Sequence, residues 1–365
     1  MKVAIVHDYL VDSGGAERVV IALHEQYPDA PIFTSVFDPQ TTFAIFRGLD
    51  VRTSFLQRLP VRKSNYKLLL PSFPLAFESF DLAEYDVVIS SASAFAKGVV
   101  TLPDTLHVCY CHTPPRFAWR FHEYVAQEGM GRVKRTVIQL IVHYLRLWDY
   151  AVAQRVDFFV ANSRATARRI QKNYRRDSVV IYPPVDAESF VPTHDIGDYY
   201  LIVSRLAPYK RIDLAVEAFN ELRLPLKIVG AGVDETRLRK IAQSNVEFLG
   251  HVPHDQLAQL YARCRAVIFP GAEDFGIVPL EANAAGRPVI AYAAAGALET
   301  VIEGVTGIFF RAQTAEALAQ VVAATDVTRF DARVLVEHAG RFSKTHFKEQ
   351  MARFVEEKWK EQRPR

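Results

Sequence analysis

Residues 266–292, AVIFPGAEDFGIVPLEANAAGRPVIAY, contain a strand, a loop, a helix and a second strand in that order. The apolar run AVIFP has the length of a buried strand, and Pro279 suits the first turn of a helix that begins near Ile277. Gly286 and Pro288 end that helix before the apolar run PVIAY begins. Two buried strands joined by one helix form a parallel β-α-β unit, which places the carboxyl ends of both strands at one edge of a sheet.

The loop before this helix predicts an anion-binding site. The first amides of an α-helix make no bond within the helix, and here those of Phe275, Gly276 and Ile277 are directed at the carboxyl end of the strand. The positive end of the helix dipole lies at the same place, and Gly276 lets a ligand approach the backbone closely. We therefore predict that these three residues bind phosphate.

Two carboxylates flank the predicted phosphate site, Glu273 in the loop and Glu281 one turn into the helix. Because carboxylates do not bind phosphate, we expect them to accept hydrogen bonds from sugar hydroxyls, Glu281 from a ribose and Glu273 from a second sugar. Each also has a structural interpretation, in which Glu281 stabilises the helix and Glu273 is a solvated loop residue.

A cationic loop, SRLAPYKR at residues 204–211, continues the apolar strand YYLIVS. It therefore lies at another strand's carboxyl end, where open α/β sheets bind ligands. The planar guanidinium of Arg205 can bind two phosphate oxygens, and Lys210 adds a compact charge, so the two could neutralise a diphosphate leaving group. Arg211 begins a helix, where a cation needs an anionic partner such as Asp213. A solvated basic loop is the alternative.

Similar apolar runs alternate with helical patterns along all 365 residues, a length that suits two α/β domains of about 150 to 180 residues. We predict two doubly wound, Rossmann-like parallel sheets with a boundary at the stiff pair Pro183-Pro184. The predicted domains are residues 1–182 and 183–342, followed by an amphipathic helix within 343–365 that packs on the first domain. The predicted strands are KVAIV, YDVVISS, HVCYC, DFFVANS, VVIYPP, YYLIVS, PLKIVG, VEFLG, AVIFP, PVIAY and GIFF.

The first domain offers a glycine pair and a histidine at strand ends. Gly14 and Gly15 resemble half of a dinucleotide fingerprint, but the third glycine of G-x-G-x-x-G is missing, so a nicotinamide cofactor is not expected. A loop that closes over a phosphate bound by the opposite domain fits better, with a structural turn as the alternative. His112 ends the run HVCYC, where a turn directs it at the cleft between the domains. A lone histidine also has a structural alternative.

Small residues follow two strands of the second domain, and no metal site is expected. Gly230, Gly250 and Val252 could line a nucleobase and ribose pocket through main-chain groups, or could form turns only. The chain contains no Asp-x-Asp sequence, the usual carboxylate pair that holds a divalent metal on a sugar nucleotide. We therefore expect the protein's own cations to compensate phosphate charge.

Composition predicts a cytoplasmic protein. Three cysteines form no disulfide framework, and MKVAIVHDYL enters a strand without a signal-peptide pattern. The net charge of +3 gives no reason to expect nucleic acid. A basic and apolar stretch instead predicts peripheral contact with the anionic inner face of the plasma membrane, with a solvated face as the alternative. It comprises Arg47, Arg52, Arg58, Arg62, Lys63 and Lys67, with Tyr66, Leu68 to Leu70, Phe73 and Phe77.

With these motifs, the chain resembles glycosyltransferase family 4, whose members are retaining enzymes of the GT-B fold, with two Rossmann-like domains facing across a cleft. The segments YCHTPPRFAW and EDFGIVPLEANAAGRPVIAYAAAGALETV are similar to the bacterial mannosyltransferase-like branch that builds O-antigen or exopolysaccharide. The resemblance rests on Gly14-Gly15 with Ala16-Glu17, the S-R-L-x-x-x-K-R run, Glu273 and Glu281 with seven residues between them, and Phe342-Ser343 before the last helix.

This resemblance implies a donor, an acceptor and individual roles. The donor would be a nucleotide-diphosphate sugar, GDP-mannose first and a UDP-hexose second, the acceptor a glycan or lipid-linked glycan, and no other cofactor is implied. Arg205 and Lys210 would bind the diphosphate, Glu273 the transferred sugar, Glu281 the ribose, His112 the sugar beside its anomeric carbon, and Gly15 the phosphate from the other domain.

Two other interpretations stay open. A sugar-nucleotide epimerase of GT-B-like fold would use the same donor site without an acceptor. A non-catalytic partner subunit would keep the fold alone, although the intact set of Glu273, Glu281, Arg205 and Lys210 argues against it.

Overall fold

The computed structural model describes residues 1–59, 66–120 and 132–362 and divides the chain into two units. Unit 1 comprises Met1–Pro184 and Phe347–Arg365, and unit 2 comprises Val185–His346. The chain therefore passes into unit 2 after the Pro-Pro pair and returns to unit 1 within its last helix.

Unit 1 contains a seven-stranded sheet with the order β3-β2-β1-β4-β5-β6-β7, in which all neighbouring strands are parallel. Its strands are β1 (Val3–His7), β2 (Ile32–Thr34), β3 (Val51–Thr53), β4 (Val87–Ala92), β5 (Leu106–Cys111), β6 (Phe158–Ala161) and β7 (Ser178–Val180). Its helices are α1 (Gly15–Gln26), α2 (Phe73–Glu78), α3 (Arg116–Trp119), α4 (Arg132–Ala153) and α5 (Arg164–Tyr174).

Unit 2 contains a six-stranded parallel sheet with the order β10-β9-β8-β11-β12-β13. Its strands are β8 (Tyr200–Val203), β9 (Leu226–Val229), β10 (Val246–Gly250), β11 (Val267–Phe269), β12 (Val289–Tyr292) and β13 (Gly307–Phe310). Its helices are α6 (Ile212–Leu222), α7 (Glu235–Ile241), α8 (His254–Arg263), α9 (Ile277–Ala284), α10 (Ala297–Thr300), α11 (Ala315–Ala324) and α12 (Ala332–Gly340). The last helix of the chain, α13, spans Lys344–Gln362.

The predicted pair of doubly wound parallel sheets is confirmed. In each sheet the strand order reverses once, between β1 and β4 in unit 1 and between β8 and β11 in unit 2. Ligands of open α/β sheets bind at the carboxyl ends of the strands beside such a reversal. A ligand-binding site is therefore expected in the loops that follow these four strands.

Both faces of the unit 1 sheet are covered, as a parallel sheet requires. Alternate residues of β1 enter two different cores, Ala4 and Val6 one of them and Val3 and Ile5 the other. Helix α13 supplies the second core with apolar side chains, and each such side chain stabilises the fold by about 1.5 to 3 kcal/mol when fully buried. These side chains are Phe347, Met351, Phe354 and Val355.

A buried ion pair joins four elements of unit 1. Lys97 and Asp149 are both excluded from solvent, and Lys97 Nζ donates to Asp149 Oδ1. The second oxygen of Asp149 accepts hydrogen bonds from Trp119 Nε1 at 2.7 Å and from the Tyr174 hydroxyl at 2.8 Å. Burial opposes the charge on Lys97, but the Asp149 carboxylate nevertheless raises the pKa of that amine. The pair thereby ties α3, α4 and α5 to the loop after β4.

The predicted membrane-facing stretch is partly wrong. Phe73 and Phe77 are fully buried in the core of unit 1, because both lie on the inner side of α2. Arg47, Arg52 and Arg58 are exposed as predicted, and Arg52 pairs with Asp50 at 2.8 Å. Arg62 and Lys63 lie outside the described residues, as do the side chains of Tyr66, Lys67 and Leu68. Across the described ranges, no helix combines the length and apolarity that a bilayer span requires.

Candidate functional site

The loops after β8 and β11 lie against each other at the strand reversal of unit 2. A Cβ added to Gly271 would lie 2.8 Å from the carbonyl oxygen of Lys210, closer than a real Cβ approaches. Glycine therefore lets the loop that carries Glu273 touch the short 3₁₀ helix Pro208–Lys210. Gly271 was absent from the predicted site, although its place directly after a strand and Pro270 is a signal for close backbone approach.

This approach brings together two predicted site residues from separate loops. Lys210 Nζ forms an ion pair with Glu273 Oε1, and their side chains are 13% and 22% exposed. Such a half-buried pair keeps its charges accessible to a ligand. A bound diphosphate would share the ammonium of Lys210 with the carboxylate of Glu273.

The helix that follows begins where the sequence predicts. Gly276 has φ 84° and immediately precedes α9, so its backbone adopts the left-handed conformation that favours glycine. The amide of Gly296 donates to the carbonyl oxygen of Glu273 at 2.8 Å, and this bond holds the loop in front of the helix. Phe275 is buried and packs beside Phe342 with ring centroids 5.9 Å apart. The predicted phosphate site thus has a fixed backbone.

Glu281, the predicted ribose ligand, lies mostly inside unit 2. It is 5% exposed, and its Oε2 accepts a hydrogen bond from the Tyr261 hydroxyl at 2.8 Å. Tyr261 comes from α8 and is fully buried. The sequence contained no signal for this contact, because the two residues belong to different helices. One oxygen of Glu281 is therefore held in place by tyrosine, which supports the structural role as well as the binding role.

Arg205 and Arg211 have different partners in the cationic loop. Arg205 is exposed and its Nη2 donates to the Tyr209 hydroxyl at 2.9 Å. Its contact with a diphosphate stays a prediction from the sequence. Arg211 pairs with Asp213 at 3.3 Å, the partner that the sequence suggested.

The glycine turn after β9 has a packing role that the sequence did not reveal. Gly230 has φ 119°, and a Cβ there would lie 2.0 Å from the carbonyl oxygen of Ser204. Its amide donates to the carbonyl oxygen of Gly250 at 2.8 Å. Glycine is therefore required at residue 230 to seat the cationic loop. Around Gly250, by contrast, an added Cβ would meet nothing within 4 Å, and the neighbouring Val252 is half-buried.

In unit 1, the loop after β4 is held by Asp8, a residue absent from the predicted site. Its carboxylate accepts hydrogen bonds from four consecutive backbone amides at 2.6 to 2.9 Å. Asp8 is buried, so these bonds replace the water that an ionised carboxylate needs. The donors are the amides of Ser93, Ala94, Phe95 and Ala96.

His7, at the end of β1, is a buried histidine beside a buried carboxylate. Its Nε2 lies 3.6 Å from Glu17 Oε1, and the two residues are 2% and 6% exposed. Burial works against the charged form, but the hydrogen bond and charge of Glu17, the charge of Asp8 and the Ser91 carbonyl together raise the pKa of His7 above 6.5. The other oxygen of Glu17 accepts from the amide of Gly14 at 2.9 Å, at the start of α1.

His112, the predicted sugar contact, lies one residue beyond β5 and is half-buried. Its Nε2 lies 2.8 Å from Ser91 Oγ, and its carbonyl oxygen accepts from Thr166 Oγ1 at 3.1 Å. The imidazole packs edge-on against Tyr110, with ring centroids 5.3 Å apart. The ring is therefore held from both sides.

Among the described residues, no group of three or more His, Cys, Asp or Glu side chains is arranged to hold a metal.

Two family models match the chain, one for each unit. The model described as Glycosyltransferase Family 4 matches residues 13–189, and the model described as Glycosyl transferases group 1 matches residues 187–325. The first includes Gly14 and His112, and the second includes Lys210, Glu273 and Glu281. The predicted site residues thus lie within the matched ranges.

The chain is similar to named glycosyltransferases, among them mannosyltransferases and D-inositol 3-phosphate glycosyltransferases. The alpha-1,3/1,6-mannosyltransferase alg2 of Schizosaccharomyces pombe is 27% identical over 95% of this chain and 78% of that protein. The O-antigen chain mannosyltransferase C of Escherichia coli is 34% identical, over 37% of this chain and 41% of that protein. The crystal structure of Anabaena Alr3699/HepE in complex with UDP and glucose superposes with a TM-score of 0.72 at 19% identity, over 98% of this chain and 99% of that chain. That last likeness shows the shared fold.

Proposed function

The chain is a hexosyltransferase that belongs to glycosyltransferase family 4 and has the GT-B fold, and we propose that it moves mannose from GDP-mannose to a polysaccharide or lipid-linked oligosaccharide with retention of the anomeric configuration. The ion pair of Lys210 with Glu273 carries the proposal. In the proposed site the ammonium of Lys210 would bind the diphosphate, and the carboxylate of Glu273 beside it would accept hydrogen bonds from sugar hydroxyls. These are the groups that a nucleotide-diphosphate sugar needs.

In the proposed reaction, charge stabilisation does most of the work. When the bond between the anomeric carbon and the diphosphate breaks, negative charge grows on the leaving oxygen. Lys210, Arg205 and the α9 amides would take up this charge without a metal, and preorganised donors are worth most at such a developing charge. The acceptor hydroxyl would then attack the anomeric carbon from the face that the nucleotide leaves and give its proton to the leaving diphosphate oxygen, which retains the configuration.

The choice of mannose rests on the relatives. Both the fission yeast protein and the Escherichia coli protein are mannosyltransferases by name, whereas the Anabaena structure holds UDP and glucose. The carboxylate of Glu281 accepts from the Tyr261 hydroxyl, which orients it for the proposed contact with a ribose hydroxyl.

A donor panel tests this proposal. GDP-mannose at about 100 times its Kd should stabilise the protein by about 2.7 kcal/mol through mass action, and EDTA should leave the rise in melting temperature unchanged. UDP-glucose, UDP-galactose and ADP-glucose serve as matched ligands. GDP release that requires added acceptor would identify transfer. A larger shift with a UDP-sugar would overturn the donor, and epimerised donor without acceptor would overturn the reaction.

The proposal includes a cytoplasmic location with peripheral contact at an anionic membrane. Arg47 and Arg58 are exposed, and α4 exposes apolar side chains at helical spacing, namely Val137, Leu140, Tyr144 and Leu147. We expect the protein to float with vesicles that contain anionic phosphatidylglycerol. With vesicles of phosphatidylcholine alone, it should stay at the bottom of the gradient. Equal recovery from both vesicle types would contradict an electrostatic contact.

A further inference from the structure

Four polar side chains of unit 1 follow one another from the glycine turn to His112. Glu17 Oε1 faces His7 Nε2, His7 Nδ1 lies 3.1 Å from the carbonyl oxygen of Ser91 and 3.2 Å from its hydroxyl, and that hydroxyl lies 2.8 Å from His112 Nε2. Ser91 is fully buried. Nothing in the predicted site accounts for Glu17, His7 or Ser91 as a group.

The chemistry of the acceptors assigns the protons on His7. A carbonyl oxygen can only accept, so the short contact with the Ser91 carbonyl places a proton on Nδ1 of His7. Nε2 faces a carboxylate, which also only accepts, and this favours a second proton there. These contacts favour the doubly protonated, positively charged form of His7 beside Glu17.

The single hydrogen of the Ser91 hydroxyl then determines the state of His112. The proton on His7 Nδ1 points at the lone pairs of Ser91, so the serine hydrogen is left to donate to His112 Nε2. An accepting Nε2 carries no proton, and a neutral imidazole then carries its proton on Nδ1.

We propose that Glu17, His7 and Ser91 form a hydrogen-bonded chain that holds His112 as the neutral Nδ1–H tautomer, and that all three are positioning residues for sugar transfer. The inference rests on the function proposed for His112, because a fixed tautomer matters only where the ring contacts substrate. In this tautomer Nε2 is the accepting nitrogen of His112 and Nδ1 is the nitrogen that carries the proton.

The same chain reaches the predicted phosphate contact of unit 1. The second oxygen of Glu17 accepts from the amide of Gly14, and an added Cβ at Gly14 would lie 3.0 Å from that oxygen. One carboxylate therefore orients both the glycine turn and His7. A change at Glu17 is expected to disturb both ends of the chain, whereas a change at Ser91 disturbs only the link to His112.

NMR of histidine ring nitrogens tests the proton assignment without any substrate. The 11 histidines of the protein are labelled with ¹⁵N, and the signals of His7 and His112 are assigned by their loss in His7→Gln and His112→Gln. We expect His112 to show a protonated Nδ1 and an unprotonated Nε2 near neutral pH in the wild type, and a mixture of tautomers in Glu17→Gln and Ser91→Ala. A protonated Nε2 in the wild type, or an unchanged tautomer in both variants, would overturn the proposal.

Ser90→Ala is a matched control. Ser90 is the neighbouring residue of β4, is also fully buried, and its hydroxyl lies 2.9 Å from Nε2 of His107. The Ser90→Ala substitution thus removes an equivalent serine–histidine contact that does not belong to the Glu17–His7–Ser91 chain. Burial lowers the pKa of His107 to about 3, so that histidine stays neutral in both proteins. The His112 signals should be unchanged in Ser90→Ala, and a shift as large as in Ser91→Ala would count against the chain.

The pH dependence of stability gives a second readout. The charged and polar groups that face His7 are Glu17, Asp8 and Ser91, and they favour its protonated form in the folded state. The folded protein then binds more protons than the unfolded protein, so this contribution is complete below pH 6.5 and is lost as the pH rises through the folded pKa. The difference in unfolding free energy between wild type and Glu17→Gln should shrink across that range. A difference independent of pH would contradict a charged His7.

Kinetics then separate positioning from structure. Ser91→Ala should lower kcat on the order of 10²-fold with little change in donor KM, the loss typical of one preorganised donor. Glu17→Gln, which also removes the acceptor that orients Gly14, should lower kcat and raise donor KM. Ser90→Ala should keep kcat near wild type. If kcat of both chain variants stays at the wild-type value, the positioning role is wrong even where the tautomer changes. If the wild type transfers no sugar from any donor, the proposed function is wrong. The NMR result would still show whether Glu17, His7 and Ser91 fix the tautomer of His112.

Discussion

Replacing Lys210 by alanine should lower kcat for sugar transfer by about 10²- to 10³-fold, the usual loss when one donor to a developing charge is removed. Two effects add in the same direction. The departing diphosphate loses a cation, and Glu273 loses its ion-pair partner and leaves a negative charge close to the leaving group. Steady-state kinetics with saturating donor and acceptor measure the result.

A second lysine of unit 2 provides the control for this variant. Lys227 on β9 pairs with Glu247 on β10 at 3.5 Å and is 31% exposed, so it is also a lysine in a partly exposed pair with glutamate. Lys227→Ala should leave kcat near wild type, since an exposed pair contributes about 0 to 1 kcal/mol to stability and this one lies on strands away from the reversal. Equal losses in Lys210→Ala and Lys227→Ala, or none in either, would refute the role of Lys210.

Glu273→Gln completes the comparison. With the charge of Glu273 removed, Lys210 no longer has a competing anion, so GDP alone should bind more tightly while transfer becomes slower. Opposite changes in GDP affinity and kcat are the signature of a carboxylate that serves the sugar and competes with the phosphate. Calorimetry with GDP measures the first and the transfer assay measures the second. Weaker GDP binding in Glu273→Gln would mean that the carboxylate supports the nucleotide site instead.

Asp149→Ala should destabilise unit 1 by about 3 to 5 kcal/mol, the typical cost of leaving one partner of a buried ion pair uncompensated. Lys97 would remain buried with its charge, and Trp119 and Tyr174 would both lose their acceptor. A loss of this size corresponds to a fall of about 6 to 20 °C in the melting temperature of a unit of this size. Thermal unfolding followed by calorimetry measures it.

Asp50→Ala is the matched control for the buried aspartate. Asp50 pairs with Arg52 at 2.8 Å on the surface, where both side chains are about half exposed, and such pairs contribute about 1 kcal/mol or less. The double replacement Lys97→Met with Asp149→Leu should recover much of the lost stability, because apolar residues can replace a buried pair. If Asp149→Ala melts within a degree or so of Asp50→Ala, the buried pair is not what joins α3, α4 and α5 to the loop after β4.

The sequence alone was sufficient for the two parallel sheets, because apolar runs of strand length alternate with amphipathic helices and this pattern is local. It missed β2 and β3, which span only Ile32–Thr34 and Val51–Thr53 and so are too short to show a period. It also placed Phe73 and Phe77 on the surface, because a helix of six residues gives little indication of its inner face. The cationic loop and the carboxylates of unit 2 could be predicted from the sequence because they directly follow apolar strands.

The contacts that complete each site were decided by the tertiary structure. Lys210 and Glu273 meet because Gly271 lets two loops touch, and neither loop contains information about the other. His7 meets Ser91 because β1 and β4 pair in a register that places these residues side by side, 84 positions apart in the chain. Local periodicity predicts which residues form a strand, but strand register depends on how whole sheets bury their faces. The sequence therefore predicted which reactive residues follow the strands. The hydrogen-bonded partners of those residues depend on how the elements pack.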